Sequence, residues 1–105
     1  MTEKQATEKS TGKLPAHAKV VIIGGGVIGC STAYHLIKRG WKDVVLLERA
    51  QLTAGTTWHA AGLVEAGGFF SSTLLEITQY TLELFSALES ETGLATGFNL
   101  SLIHI

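Results

Sequence analysis

Lys19-Val-Val-Ile-Ile23, followed by Gly24-Gly-Gly26-Val-Ile-Gly29, is the stretch whose reading decides the fold. Four consecutive β-branched apolar residues read as a strand covered on both faces. The glycines after it match G-x-G-x-x-G. In that pattern Gly24 allows the tight turn out of the strand, Gly26 lets the backbone approach a pyrophosphate, and Gly29 permits close packing of helix on strand. A helix is expected from Val27 to Arg39, with Ile28, Ala33, Leu36 and Ile37 inward, Lys38 and Arg39 at its C-terminal end and Gly40 as its C-cap. Its N-terminus, where Val27 and Ile28 stand, offers N–H groups and partial positive charge to phosphates. Asp43-Val-Val-Leu-Leu47 reads as a second covered strand and runs into Glu48.

Glu48 stands 19 residues after Gly29, where an acid that hydrogen-bonds a ribose hydroxyl is expected. A carboxylate there repels a 2′-phosphate, so NADP is disfavoured. Strand, glycine turn, helix and a strand ending in an acid agree with one another, which a lone glycine motif would not do. The competing explanation is an ordinary βαβ turn with a surface glutamate. The fold class is therefore α/β, with parallel strands and a dinucleotide-binding start. A two-stranded parallel sheet cannot cover both its faces, so the chain is expected to be a truncated piece of a longer protein.

Outside this unit the sequence is less specific. Of its 105 residues 46% are hydrophobic and 16% charged, a composition that fits a soluble globular protein. A net charge of −1 gives no support to a nucleic-acid or acidic-membrane partner. No apolar run approaches the ~20 residues that span a bilayer. The single cysteine, Cys30, rules out an internal disulfide and fits a reducing compartment. The polar segment Met1 to Lys13 has neither the arginine-rich, acid-poor character of a transit peptide nor an apolar signal stretch; residues 1–17 are expected to be a disordered tail and the protein cytoplasmic, with the mitochondrial matrix as the alternative. A second helix is expected from Ser72 to Glu91, its inward face formed by Leu74, Ile77, Thr81, Leu84, Phe85 and Leu88, capped by Ser71 or Ser72 and ended by Gly93. The last six residues, Leu100 to Ile105, resemble the translation of a transposase end sequence used in library preparation. They are expected to be a non-native read-through tail, with a short native strand as the alternative.

The segment from Arg49 to Gly68, rich in Gly, Ala and Thr, carries the more specific signal. Thr53-Ala-Gly-Thr-Thr-Trp-His-Ala-Ala-Gly-Leu63 resembles a stretch of the FAD-dependent dimethylglycine and sarcosine dehydrogenase family. The resemblance runs from about Lys19 to Phe98, with the glycine fingerprint, the acid and this loop in family order, and includes Glu91-Thr-Gly93 and Gly97-Phe98. It departs from Asn99 onward. The resemblance implies that residues 18–99 are an incomplete, Rossmann-like FAD-binding domain and that His59 bonds covalently to the flavin 8α-methyl carbon. That methyl is acidic in the oxidised flavin, and a neutral imidazole is a competent nucleophile at neutral pH. Gly55, Thr56 and Thr57 are then expected to contact the flavin or its phosphates through N–H and hydroxyl groups, with Arg49, Gly62 and Leu63 counted among the cofactor contacts. His59 has a plainer reading as a surface or hydrogen-bonding histidine, and Gly55, Thr56 and Thr57 as small residues of a loop packed under other parts of the domain. Trp58 reads as packing beside the flavin, since its indole can donate but cannot act as a base.

Other reactive side chains carry less. Cys30 reads as a small buried packing residue although a helix N-terminus can activate a thiol. His35 reads as structural or exposed; His17 and His104 fall in the tails. No metal-ligand spacing occurs, and no Ser/His/Asp arrangement can be argued. The resemblance implies oxidation of an N-methylated glycine, sarcosine or dimethylglycine, by hydride transfer from the N-methyl carbon to flavin. The one-carbon unit would be released by hydrolysis or passed to tetrahydrofolate on a C-terminal domain, and electrons would pass to an electron-transfer flavoprotein. The catalytic base is expected beyond residue 105, and the 105 residues alone are expected to bind FAD weakly. The alternatives are an amine or amino-acid oxidase of the same fold and a non-catalytic, flavoprotein-like regulatory subunit.

Overall fold

A computed structural model describes residues 13–65 and 71–100. The chain divides into two compact units, Met1–Ala60 and Ala61–Ile105. In the first unit the expected strand–helix–strand order is present. Strand β1 spans Val20–Ile23, helix α1 spans Val27–Lys38, and strand β2 spans Val44–Leu47. The strands pair in parallel, Val20 opposite Val44 through to Ile23 opposite Leu47. Parallel neighbours need a crossover connection, and α1 supplies it. The ladder is extended at both ends: Lys19 and Val20 donate to the Asp43 carbonyl at 2.9 and 3.3 Å, and the Gly24 N–H donates to the Leu47 carbonyl at 2.8 Å.

α1 ends as its sequence predicts, with a one-residue difference. The C-cap is Arg39, and Gly40, at φ +85°, takes the left-handed position just beyond it. The Gly40 N–H donates to the Ile37 carbonyl at 2.9 Å and the Trp41 N–H to the Leu36 carbonyl at 3.0 Å. These two bonds make a Schellman closure, which satisfies carbonyls that a helix end otherwise leaves open.

The expected burial is not met. Val21 and Ile23 of β1 are exposed, Ile23 at 86%, while Val20 and Ile22 are half-buried. All four residues of β2 are half-buried. On α1, Ala33 and Leu36 are half-buried as their inward positions require, but Ile28 is 81% and Ile37 62% exposed. Cys30 is half-buried rather than buried, its thiol 3.5 Å from the Gly25 carbonyl. The physical reason is the layer count. α1 packs on both strands, and a second layer on the other face is absent among the described residues of this unit. Continuous apolar runs report what a strand is suited to, not what covers it.

In the second unit, helix α2 spans Ser72–Thr92, one residue longer than its periodicity suggests. Gly93 closes it at φ +72°, its N–H donating to the Glu89 carbonyl at 2.9 Å. Ser71 holds the N-cap position without a side-chain capping bond, so the expected hydroxyl cap is not made by Ser71. Thr81, Leu84, Phe85 and Leu88 are half-buried, and Phe85 lies against Phe98 at 5.8 Å between ring centroids. Leu74 and Ile77, placed on the same face by spacing, are exposed. Of the segments assigned to tails, residues 1–12 and 101–105 lie outside the described residues, as do residues 66–70 of the long loop.

Candidate cofactor site

The site is built at the C-terminal ends of the two strands. β1 delivers Gly24, which takes φ +109°, a conformation that side chains of the L-series rarely adopt. Gly25 follows and is buried. A Cβ on it would lie 2.6 Å from a Leu52 methyl and 3.1 Å from the Glu48 Cβ. Gly29 is the tightest position, because a Cβ there would fall on the Gly24 carbonyl oxygen. That is backbone, so nothing can rotate aside, and the close helix-on-strand packing assigned to Gly29 from its spacing is visible here.

β2 delivers Glu48. Its carboxylate accepts the Gly25 N–H at 2.8 Å and the Ala50 N–H at 2.9 Å. Those two bonds, the Gly25 one foremost, hold the Glu48 carboxyl below its ordinary value of 4.5, against a smaller upward push from burial. The acid therefore stays ionised while it braces the glycine turn. Arg49 beside it is exposed.

The third component is the loop after β2, which turns back onto the glycines. The Thr53 N–H donates to the Gly25 carbonyl at 2.8 Å. Thr53 itself sits at φ +68°, a costly conformation for a β-branched residue. The Thr57 hydroxyl accepts the Val27 N–H at 2.9 Å. Gly26, the N-cap of α1, has no side chain to serve that donor, and a Cβ on Gly26 would come within 3.0 Å of the Thr57 oxygen. With Val27 served in this way, the N–H groups of Ile28 and Gly29 are the remaining donors of the first turn available to an anion.

His59 is exposed at the end of the same loop. Its Nδ1 lies 2.8 Å from the Gly55 carbonyl. A carbonyl oxygen only accepts, so Nδ1 is the donor in this bond, which in the neutral ring leaves the lone pair on Nε2. Successive short turns, Trp58 N–H to Gly55 at 3.2 Å and His59 N–H to Thr56 at 3.1 Å, set the backbone on which the ring stands. Thr56 and Trp58 are exposed.

Gly24, Gly26, Val27, Ile28, Gly29, Glu48, Gly55, Thr57 and His59 thus all lie in one compact unit. Gly62, at φ +74°, and Leu63, 83% exposed, belong to the second unit and are not part of this hydrogen-bonded assembly. Three contributors escaped sequence reasoning. Gly25 is a free position in the motif, yet it is the buried pivot of the turn. Thr53 and Leu52 meet Gly25 across a long sequence separation, for which spacing carries no signal. Among the described residues no group of three or more His, Cys, Asp or Glu could hold a metal, and no helix is long and apolar enough to cross a membrane.

A parallel βαβ unit with a glycine turn feeding a helix N-terminus is the N-terminal part of a Rossmann-like dinucleotide-binding fold. Residues 19–103 match the family described as FAD dependent oxidoreductase, and the chain belongs to that family. Dimethylglycine dehydrogenase, mitochondrial, of Homo sapiens is 53% identical over 83 residues, 78% of this chain and 9% of that protein. Sarcosine dehydrogenase, mitochondrial, of Homo sapiens is 51% identical over 86 residues, 81% of this chain and 9% of that protein. Pyruvate dehydrogenase phosphatase regulatory subunit, mitochondrial, of Mus musculus is 48% identical over 85 residues, 81% of this chain and 10% of that protein. The chain thus spans about a tenth of the length of these relatives. The residues present fit the family's cofactor: a Cβ on Gly29 would fall on backbone, one on Gly25 or Gly26 would crowd neighbouring side chains, and first-turn donors stand beside an ionised acid.

Proposed function

We propose that this chain is the cofactor-binding segment of an FAD-dependent dehydrogenase of N-methylated glycines, sarcosine or dimethylglycine. The observation that carries the reading is His59, held by Gly55 with its Nε2 lone pair free, on a loop hydrogen-bonded to the phosphate turn. Gly24, Gly26, Val27, Ile28 and Gly29 form the pyrophosphate cradle. Glu48, with Arg49 beside it, receives the adenosine ribose. Gly55, Thr56 and Thr57 line the path of the flavin. When bound, FAD accepts the two electrons and hydrogen released from the C–H of the amine donor, and an electron-transfer flavoprotein takes the electrons onward. Tetrahydrofolate, as acceptor of the one-carbon unit, would bind elsewhere in the protein.

His59 serves as the tether. Its nitrogen replaces a hydrogen of the flavin 8α-methyl group. The imidazole N–H and the methyl C–H would leave as two protons with two electrons, which dioxygen would take up as hydrogen peroxide. The test is acid precipitation of the complete gene product. Flavin should remain with the protein, and His59→Ala should release it while leaving FAD bound before the acid step. Wild-type flavin that washes out in acid would overturn the tether.

A second reading is a non-catalytic regulatory subunit, favoured by the 48% identity to such a subunit in Mus musculus. Bleaching of the flavin absorbance by sarcosine or dimethylglycine without oxygen supports the dehydrogenase; a purified protein lacking flavin supports the regulatory role.

A further inference from the structure

We infer that Thr57 is a positioning residue for flavin attachment, fastening the His59 loop to the first turn of α1 through the Val27 N–H. The inference rests on the reading of His59 as the tether. The family resemblance implies that Thr57 is a cofactor contact. Its hydroxyl oxygen instead accepts the Val27 N–H at 2.9 Å, across 30 positions of sequence.

The need for this bond lies in the helix end. An N-cap normally supplies a side-chain oxygen to the first-turn donors. Gly26 occupies that place and has none. Any side chain on Gly26 would crowd the Thr57 oxygen, so the loop hydroxyl fills the position that a local cap would hold. The loop is fastened a second time, through the Thr53 N–H on the Gly25 carbonyl at 2.8 Å. Thr53 holds a left-handed backbone to make that bond, a conformation that persists where its surroundings impose it.

These anchors fix the ring. The His59 N–H bonds the Thr56 carbonyl and its Nδ1 bonds the Gly55 carbonyl. The imidazole is therefore referenced to residues 55–57, and Thr57 references those residues to α1. One end of a bound dinucleotide would lie on α1 and its flavin at the histidine, so the Thr57–Val27 bond fixes the distance between the two points of attachment. The Thr57 hydroxyl keeps its own proton and can donate it to a phosphate oxygen at the same time.

The test uses the complete gene product prepared free of flavin and mixed with FAD. Two quantities are followed: FAD bound at equilibrium, and acid-stable flavin against time. Thr57→Val removes the acceptor with little change of shape. Val27→Pro removes the donor instead; proline suits the first helical position, and Gly26 before it is extended, at ψ −172°. At FAD concentrations that saturate each variant, both should attach flavin about tenfold or more slowly than wild type, the scale on which misplacement of reacting groups acts. Thr57→Ser, which keeps the hydroxyl, should attach it within about twofold of wild type. Attachment at the wild-type rate in either Thr57→Val or Val27→Pro overturns the inference. So does a wild-type attachment rate regained once FAD is saturating, which would make Thr57 a binding residue only. Acid-labile flavin in the wild type overturns the His59 tether itself, a result separate from either of these.

Discussion

The carboxylate of Glu48, at the end of one strand, accepts the backbone N–H of Gly25, in the turn that ends the other, at 2.8 Å. The acid that sequence spacing reserves for a ribose thus also braces the turn. Because the bond lowers the folded-state pKa of Glu48, its contribution has a defined sign. It is fully present above the ordinary carboxyl value of 4.5 and is lost as pH falls through the lower folded value. Glu48→Gln should melt below wild type at pH 7, and the gap should close on acidification below 4.5. Thermal melts of both proteins from pH 7 to pH 3 check this. The same variant should hold FAD less tightly.

The glycines should separate by what lies around them. Gly29→Ala drives a methyl into the Gly24 carbonyl, and the helix must shift. Loss of FAD and a destabilisation of roughly 2 kcal/mol or more are expected. Gly25→Ala meets the end of the Leu52 side chain and the Glu48 Cβ, and an intermediate loss is expected. Gly55→Ala meets open space and should stay within about 0.5 kcal/mol of wild type. Denaturant titration with FAD content on each variant ranks the three.

Gly40 tests the backbone apart from the cofactor. Its φ of +85° suits glycine, and nothing lies within 4 Å of an added Cβ. Gly40→Ala should therefore cost only the left-handed strain, about 1 kcal/mol. FAD content should be unchanged, since Gly40 closes the end of α1 remote from the glycine turn. A loss of flavin with this variant would contradict the placement of the site.

Much of this unit was legible in the residues. Val20–Ile23, Val27–Lys38 and Val44–Leu47 fall within one residue of the ranges that β-branched runs, helical spacing and Gly40 predict. Gly24 and Gly29 do what their places in the motif require, because the motif records local backbone geometry. Gly25 was not legible: the motif leaves it free, and its burial comes from Leu52 and Glu48 arriving later in the chain. Nor was the Thr57–Val27 bond. It joins a side chain to a backbone donor 30 residues away, and no periodicity encodes such a pairing. Ile28 and Ile37 were misplaced because their apolar character says that they will be covered without saying by what.

The bare face of the sheet has a consequence for handling this segment. Val21 and Ile23 stand open on β1, and Ile28 and Ile37 on α1, beside strands short of hydrogen-bonding neighbours. Such a surface is adhesive. During synthesis on the ribosome it would be exposed until a cover arrives, a state suited to chaperone capture. Produced by itself, the segment should form concentration-dependent clusters visible by light scattering, and Ile23→Lys should disperse them by putting charge on the open strand.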